Sequence, residues 1–223
     1  MFTAADIAAR LDRATQDRRL LDHDFYKAWT QGALTVDDLH TYSKQYFRQV
    51  EAFPTYLRAL AGKLDGQARD IVLDNLNDEV ADDHAGLWLQ FAAAVGADAA
   101  EVTGSVPEPE TTRCVKSFSD GIDSNSAAYG LGMIYGYESQ TPAVAKTKVE
   151  GLRGHYEIDG DGVTYFELHG ELDIEHTAEL TRALEQVCAD ESALAEAEAG
   201  AAAGAAAIWG LLDGVARVRN ITC

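Results

Sequence analysis

The stretch Tyr165–His176, which reads YFELHGELDIEH, carries the clearest structural signal in the chain. Within it, His169, Asp173 and His176 stand at the helical spacing i, i+4, i+7. At 3.6 residues per turn, this spacing places two imidazoles and one carboxylate on the same face of a helix. The stretch therefore predicts a helix that presents metal-binding groups to the interior of a helical protein.

Helical periodicity of this kind runs along nearly the whole sequence, without the convincing alternation that is typical of a strand. We therefore expect an all-α protein, a compact bundle of about seven helices folded as one domain over residues 1–223. Thr35 and Asp38 form a capping-box pattern at one helix start, and Gly32 follows the end of the preceding helix. Loops are expected at 104–112 and 154–164. The candidate helices are 4–15, 23–32, 35–62, 66–95, 109–126, 126–149, 162–189 and 191–217.

The composition limits the classes of partner. The formal net charge is −19, from 37 acidic and 18 basic residues. Nucleic acids and anionic membranes require basic patches, so we expect neither as a partner. The acidity suits a high-salt cytosol, where charge repulsion is screened, and an ordinary acidic protein is the alternative.

Cysteine spacing and the apolar segments bear on the cellular compartment. Cys114, Cys188 and Cys223 show no CxxC spacing, so neither a disulfide framework nor a zinc ribbon is indicated. The first residues lack the apolar core of a signal peptide. The apolar stretch 199–218 is interrupted by Asp213 and Arg217, which predicts a packed helix and not a membrane span. We expect a cytoplasmic protein.

Further candidate ligands lie upstream of the 165–176 stretch. Glu138 sits in an apolar helical run, where an unpaired buried carboxylate is costly, and Glu79 and His84 precede another apolar run. Mixed imidazole and carboxylate ligands suit iron, manganese or zinc. We predict a dinuclear centre in which Glu138 bridges or caps both metals and Glu79 with His84 holds one side. The expected other side is His169, Asp173 and His176. The alternative is an acidic amphipathic helix whose histidines pack or face water.

The chain resembles the haem-oxygenase-like di-metal oxidases related to pyrroloquinoline quinone synthase C and thiaminase II. It is most similar to the branch named after the Chlamydia protein associating with death domains. The resemblance implies a haem-oxygenase-like fold, a homodimer, two metal ions (iron, or iron with manganese), dioxygen and an external reductant. It also implies that the ligands are Glu79, His84, Glu138, His169, Asp173 and His176. The segments that carry it are LDHDFYKAWTQGALTVDDLHTYSKQYF, VEAFPTYLRAL, LDNLNDE, HAGLW, YGYESQTPAVAKTK and YFELHGELDIEH.

One spacing departs from the family pattern. The family separates the first Glu from its His by seven residues, whereas Glu79 and His84 are five apart. Five residues turn a helix through about 140°, so the two side chains would diverge on a straight helix. We therefore expect a bulge or break between Val80 and Asp83, or replacement of His84 as ligand by Asp83.

Relatives of this branch are proposed to make 4-aminobenzoate, a folate precursor, by consuming one of their own tyrosines. The resemblance assigns the sacrificed ring to Tyr26 and the donated amino group to Lys148, while the nearby Lys146 stays open as the donor. Tyr42 and Tyr137 match active-site tyrosines of the family, which implies electron relay or radical formation near the metals.

Two other classes of function stay open. One is an oxidase, with or without metals, that acts on an exogenous small molecule and uses Tyr26 as a wall of its pocket. The other is a non-enzymatic interaction protein whose metal site is structural. A thiaminase-like reaction needs a nucleophilic cysteine, and Cys114 and Cys188 lie away from the ligand segments. We therefore do not expect that reaction.

Overall fold

The computed structural model describes residues 2–222, which form a bundle of α-helices and short 3-10 turns without strands in that range. The predicted all-α class is therefore confirmed. The helices are α1 (Ala4–Thr15), α2 (Asp24–Thr30), α3 (Val36–Ala61), α4 (Gly66–Ala81), α5 (His84–Ala94), α6 (Ala99–Gly104), α7 (Pro109–Ser124), α8 (Ala127–Glu138), α9 (Thr141–His155), α10 (Thr164–Val187) and α11 (Glu191–Arg219).

Local capping explains where several helices begin and end. At α3, the hydroxyl of Thr35 accepts the N–H of Asp38, and the Asp38 carboxylate accepts the N–H of Thr35. This reciprocal pair satisfies donors that the first helical turn leaves unpaired. Gly32, with φ at +65°, lies in the left-handed region just after α2. The capping box and the terminating glycine are both confirmed.

The candidate helix 66–95 is interrupted between α4 and α5. Asp83 adopts a left-handed φ of 50°, and its side chain accepts the N–H of Gly86 as the N-cap of α5. A break between Val80 and Asp83 was one of two alternatives, and the structure contains it. Because a new helix starts at His84, the direction of this side chain is set independently of α4.

The prediction of one helix over 126–149 is wrong. Helix α8 ends at Glu138, and α9 begins at Thr141 with Pro142 in its first turn. Proline has no N–H to donate and is tolerated in a first turn, where donors have no intrahelical partner. Glu138 therefore ends one helix, while Lys148 lies on the next.

The loop at 104–112 is shorter than expected, because Pro109 starts α7 as a first-turn proline. The short helix α6 was not predicted. Together with the two interrupted helices, these differences give more helices than the expected seven or so. The missed elements are short, and hydrophobic periodicity detects short helices poorly.

The pair α8 and α11 forms the most extensive helix contact of the bundle. A Cβ on Gly132 would lie 2.1 Å from the carbonyl oxygen of Ala197, and one on Gly200 would lie 2.1 Å from that of Tyr129. Only glycine allows backbones this close. Helix α10 packs against α4, α8 and α9.

Helix α11 has the length and composition of a helix that could cross a membrane. Half of its most apolar 18-residue window is buried inside the bundle, however, and its Gly200 and Gly204 contact α8. Its apolar character therefore has an explanation in packing.

Replacement of Gly132 by Ala tests this helix contact. Because the added methyl would overlap a carbonyl oxygen, we expect Gly132→Ala to lower the free energy of unfolding by about 1–3 kcal/mol. Gly210→Ala is the matched control, since a Cβ at this position of α11 meets nothing within 4 Å. That control should leave stability unchanged or raise it by about 0.5–1 kcal/mol. Urea unfolding followed by circular dichroism measures both, and equal stability of the two variants would contradict the packing argument.

Candidate metal centre and aromatic cage

The six predicted ligands converge in the interior as two groups of three. Within each group, one ligand atom per residue lies within 4.8 Å of the others. All six side chains are buried. The first group is Glu79, His84 and His169, and the second is Glu138, Asp173 and His176.

The first group depends on the break before α5. Nδ1 of His84 lies 2.9 Å from Oε2 of Glu79, and Nε2 of His169 lies 3.9 Å from Oε1 of the same carboxylate. The imidazoles of His84 and His169 are 4.5 Å apart between centroids. Burial, together with the nearby His84, lowers the pKa of His169 to about 3, so this ring is neutral and able to bind a metal.

Asp83 does not take part in this group. It is exposed, and its carboxylate caps α5 at Gly86. His84, which is 1% exposed, points inward at Glu79. Of the two alternatives for this position, the geometry therefore favours His84.

The second group is richer in carboxylate. Burial raises the pKa of Glu138, and the neighbouring Asp173 raises it further. The pKa of Asp173 is raised by burial as well. Burial opposes protonation of His176, but the carboxylates of Asp173 and Glu138 outweigh it and raise its pKa to about 9. The group thus gathers negative charge that a cation would stabilise.

The division between the groups differs from the expected one. His169, Asp173 and His176 were predicted to hold one metal together, yet His169 joins Glu79 and His84. The reason is the rise of the helix, because seven residues separate His169 and His176 by about 10 Å along the axis. His169 therefore lies beside Glu79 while His176 lies beside Glu138, and a single face of α10 serves both groups.

A metal fits these residues on grounds of hydrogen bonding as well as ligand chemistry. Among the described residues, both ring nitrogens of His84, Oε2 of Glu138 and Nδ1 of His176 are buried without a hydrogen bond. Nδ1 of His84 is close to Oε2 of Glu79, at 2.9 Å, but not in hydrogen-bond geometry. Such atoms are costly unless something coordinates them. His169 donates its Nδ1–H to the carbonyl of Tyr165 at 2.7 Å, which leaves Nε2 as a ligand. Three imidazoles and three carboxylates suit iron or manganese.

Two polar neighbours of the centre were missed by the sequence analysis. Asn75 donates to Oε1 of Glu138 at 2.9 Å, and Asp78 lies 3.2 Å from Nε2 of His176. Both residues precede Glu79 on α4. Asn75 and Glu79 are four residues apart, a spacing that could have predicted that they share one face of a helix. No such pattern in the sequence pointed to Asp78.

The cavity at the centre has a volume of about 10 Å³. That is about the space that one water-sized molecule needs, and far less than an aromatic ring needs. The cavity therefore admits only a very small molecule beside the ligands. Its lining residues are Val50, Phe53, Glu79, Tyr137, Glu138, Tyr165, His169 and Asp173.

Lys148 lies in a separate buried pocket, which we call the aromatic cage. Its side chain is 4% exposed. Because burial disfavours the ammonium form, the pKa of Lys148 is lowered to about 7, and a large fraction of the amine is neutral at neutral pH. The cage consists of the rings of Phe166, Tyr46, Tyr42, Tyr26 and Trp88, whose centroids lie 4.8, 5.1, 5.3, 5.6 and 5.7 Å from Nζ.

The two candidate amino donors, Lys146 and Lys148, have different surroundings in the structure. Lys146 is exposed and lines a surface groove, whereas Lys148 is buried beside Tyr26. Tyr26 itself is fully buried, and burial raises the pKa of its hydroxyl. Its phenol interacts with that of Tyr42, whose pKa burial also raises. Of the two amines, only that of Lys148 lies against the Tyr26 ring.

A row of tyrosines joins the cage to the metal groups. The rings of Tyr42 and Tyr46 are 5.3 Å apart, and the Tyr46 hydroxyl donates to that of Tyr137 at 3.2 Å. Tyr137 lines the small cavity at the ligands. Tyr26, Tyr42 and Tyr137 were predicted from the resemblance. Tyr46 was not among the predicted residues, and its linking position is visible only in three dimensions.

Cys114 and Cys188 belong to neither site. Cys114 is buried near Gln49, and burial raises the pKa of its thiol. Burial also raises the pKa of Cys188, to about 11. Both are therefore protonated and poorly nucleophilic at neutral pH. Cys223 lies outside the described residues.

Comparisons with known proteins agree with this geometry. Residues 40–210 match the family described as iron-containing redox enzymes. A 4-aminobenzoate synthase of Nitrosomonas europaea is 36% identical over 219 residues, which cover 92% of this chain and 89% of the relative. A protein of the same name from Chlamydia muridarum is 35% identical over 187 residues, covering 82% of this chain and 79% of the relative.

Solved structures show the same fold. A TenA homologue from Pseudomonas syringae matches with a TM-score of 0.84, over 97% of this chain and 96% of that chain. The sequence identity is 16%, so this likeness concerns the fold alone.

The division of the ligands leads to a prediction about metal content. We expect His84→Ala to reduce the metal held by the first group and His176→Ala to reduce that held by the second, so that each variant keeps about one equivalent. The measurement is elemental analysis after anaerobic loading with Fe(II) and removal of excess metal. His155→Ala is the control, because His155 is exposed and distant from both groups along the chain. Two full equivalents in both ligand variants would show that these histidines bind no metal.

The buried amine leads to a prediction about pH. The pKa of Lys148 is about 7 in the folded chain, against about 10.5 for an exposed lysine. Between these values the unfolded chain binds more protons, so stability rises with pH. Relative to Lys148→Met, we expect the wild-type free energy of unfolding to rise by about 1.4 kcal/mol per pH unit between pH 7.5 and 9.5.

Guanidinium unfolding at several pH values measures this slope. Lys146→Met is the matched control, since Lys146 is exposed. Parallel pH profiles of the wild type and Lys148→Met would contradict burial of a neutral amine.

Proposed function

The chain belongs to the family of iron-containing redox enzymes, and from that membership we propose that it is an oxygen-dependent 4-aminobenzoate synthase that consumes its own Tyr26. Two relatives that carry the name 4-aminobenzoate synthase, at 35% and 36% identity, support the product. The proposal assigns the ring to Tyr26 and the nitrogen to Lys148.

The observation that carries this proposal is the aromatic cage. Nζ of Lys148 lies 5.6 Å from the centroid of the Tyr26 ring, and both side chains are buried. Rotation about the four methylenes of the lysine can shorten this distance towards the roughly 3–3.5 Å that attack on a ring carbon requires. Since donor and ring belong to one chain, their effective concentration is very high.

The substitution pattern of tyrosine suits the product. A tyrosine ring carries its hydroxyl para to a methylene, and 4-aminobenzoate carries its amino group para to a carboxyl. The conversion requires cleavage of the Cα–Cβ bond of Tyr26, with dioxygen as the oxidant that takes Cβ to the carboxyl level. The phenol oxygen leaves as water when the Lys148 nitrogen takes its place on the ring. The Nζ–Cε bond of Lys148 is broken in the transfer, and Cε is left as an aldehyde, again with dioxygen as the oxidant. The ring keeps its carbon skeleton and its para geometry.

The six converged ligands are proposed to hold the two metals, iron or iron with manganese. Glu79, His84 and His169 would hold one ion, and Glu138, Asp173 and His176 the other. Metals in these positions would supply the redox chemistry with dioxygen, with electrons from an external reductant. The chain contributes the neutral imidazole of His169, six buried ligand side chains and a cavity for a very small molecule.

The residues between the two sites have proposed roles of their own. Tyr42 belongs to the same cage around Lys148 as Tyr26 and is proposed to take part in electron relay or radical formation. Tyr137 at the cavity, through its hydrogen bond with Tyr46, is placed to transfer an electron between the ligand groups and the cage. Lys148 supplies a partly neutral amine because burial lowers its pKa to about 7.

The small volume at the ligands argues against an exogenous aromatic substrate. About 10 Å³ leaves no room for a ring, and Tyr26 is completely buried. An enzyme whose substrate is part of its own core needs an entry route only for dioxygen and electrons. The cavity therefore favours the self-consuming reaction over an oxidase for a free small molecule.

The test is peptide mass spectrometry across Tyr26 and Lys148 before and after anaerobic Fe(II) loading, reduction and exposure to dioxygen. With ring-deuterated tyrosine in the protein, we expect released 4-aminobenzoate to carry the label, at no more than one equivalent per chain. Tyr26→Phe and Lys148→Arg should each lower the yield at least tenfold, because each removes a proposed reactant.

Two matched variants serve as controls for this test. Tyr56→Phe alters a buried tyrosine outside the cage, and Lys146→Arg alters the exposed lysine. Both should keep the wild-type yield. Unlabelled product, or turnover beyond one equivalent with Tyr26 intact, would sink the proposal in favour of an external substrate.

A further inference from the structure

We infer that Asp78 is a positioning residue of the proposed metal centre, where it fixes which nitrogen of His176 faces the metal and supplies an outer negative charge. The inference rests on the proposed function, but Asp78 is not among the six proposed ligands. It follows from the contacts that the His176 ring makes on its two sides.

The first observation is the arrangement of the His176 ring. Its Nε2 lies 3.2 Å from Oδ2 of Asp78, and its Nδ1 lies 3.5 Å from Oδ1 of Asp173. A neutral imidazole carries a single N–H, and a carboxylate can only accept a hydrogen bond. A metal bound at Nδ1, the nitrogen that faces Asp173, would therefore leave the single N–H on Nε2, where Asp78 accepts it. This is the tautomer that a metal in the second group requires.

The second observation is the contrast with His169. That ring donates its Nδ1–H to a backbone carbonyl, which is a neutral acceptor. The second group therefore has an outer carboxylate, while the first has none at the corresponding position. A carboxylate acceptor makes the imidazole a stronger donor to a metal than a carbonyl does.

The third observation is the charge of the site. Two divalent ions would bring four positive charges against the three negative charges of Glu79, Glu138 and Asp173, which would leave one positive charge in a buried site. The carboxylate of Asp78, bonded to His176, balances that charge. An uncompensated charge in the interior is costly, so this outer partner stabilises the loaded centre.

Helix α4 can supply both a ligand and this outer partner because adjacent helical positions are about 100° apart. Glu79 points into the interior with a side chain that is 6% exposed, whereas the Asp78 side chain lies at the rim and is 39% exposed. From the rim, Asp78 reaches α10 at His176. One turn of α4 thus provides Glu79 to the first group and Asp78 to the His176 of the second.

The experiment measures the affinity of each metal equivalent in the full chain. Wild type, Asp78→Ala and Asp78→Asn are loaded anaerobically with Co(II) and titrated with a chelator, while the visible Co(II) absorption and elemental analysis are followed. Asp74→Ala is the matched control, because Asp74 is an exposed aspartate one turn earlier on α4. The Asn variant keeps an acceptor oxygen without the charge.

We expect Asp78→Ala to weaken one of the two equivalents by about 10–100-fold and to leave the other unchanged. Asp78→Asn should fall between Asp78→Ala and the wild type, and Asp74→Ala should match the wild type. The Co(II) absorption of the weakened site should change as well, since the orientation of its imidazole is no longer fixed.

Three results would overturn the inference. Unchanged affinity in Asp78→Ala would remove Asp78 from the centre, and equal weakening of both equivalents would refute a role specific to His176. Both results leave the proposed function intact as long as the wild type binds two metals. Failure of the wild-type chain to bind two metals would instead overturn the inference and the proposed metal centre together.

Discussion

The burial of three carboxylates in one small volume is the constraint on which this structure depends. Glu79, Glu138 and Asp173 lie inside the bundle, and burial raises the pKa of both Glu138 and Asp173. Such a cluster lowers stability unless cations or protons neutralise it. The break before α5 turns the imidazole of His84 towards the carboxylate of Glu79. Helix α8 ends at Glu138, and its close contact with α11 fixes the position of that helix in the bundle.

Periodicity was enough to find most of the fold and the ligands on a single helix. His169, Asp173 and His176 share one face of α10 because their spacing is a property of any α-helix. Glu138 was identifiable because an ionisable residue within an apolar run has to be satisfied. The shortened spacing between Glu79 and His84 indicated a break between Val80 and Asp83 as one of two alternatives, since a straight helix would point the two side chains apart.

Other features depend on contacts between elements, and periodicity contains no information about them. The assignment of His169 to Glu79 and His84 follows from which helix end meets which turn of α10. The break at 139–140 was missed because Pro142 is compatible with a helix start as well as with an interruption. Asp78 and Tyr46 read as an ordinary surface acid and an ordinary core aromatic, and only tertiary structure gives them neighbours in the site.

The proposed reaction has a physical consequence for the protein that performs it. Tyr26 is a fully buried member of the core and packs edge-on against Phe25, with centroids 5.4 Å apart. Loss of a buried aromatic side chain typically costs about 3–5 kcal/mol, which is a large share of the stability of a domain. Tyr26 would therefore be both the substrate and part of the core, and its consumption would leave a cavity beside Lys148. Loss of the Tyr26 side chain would then both limit the protein to one turnover and lower its stability.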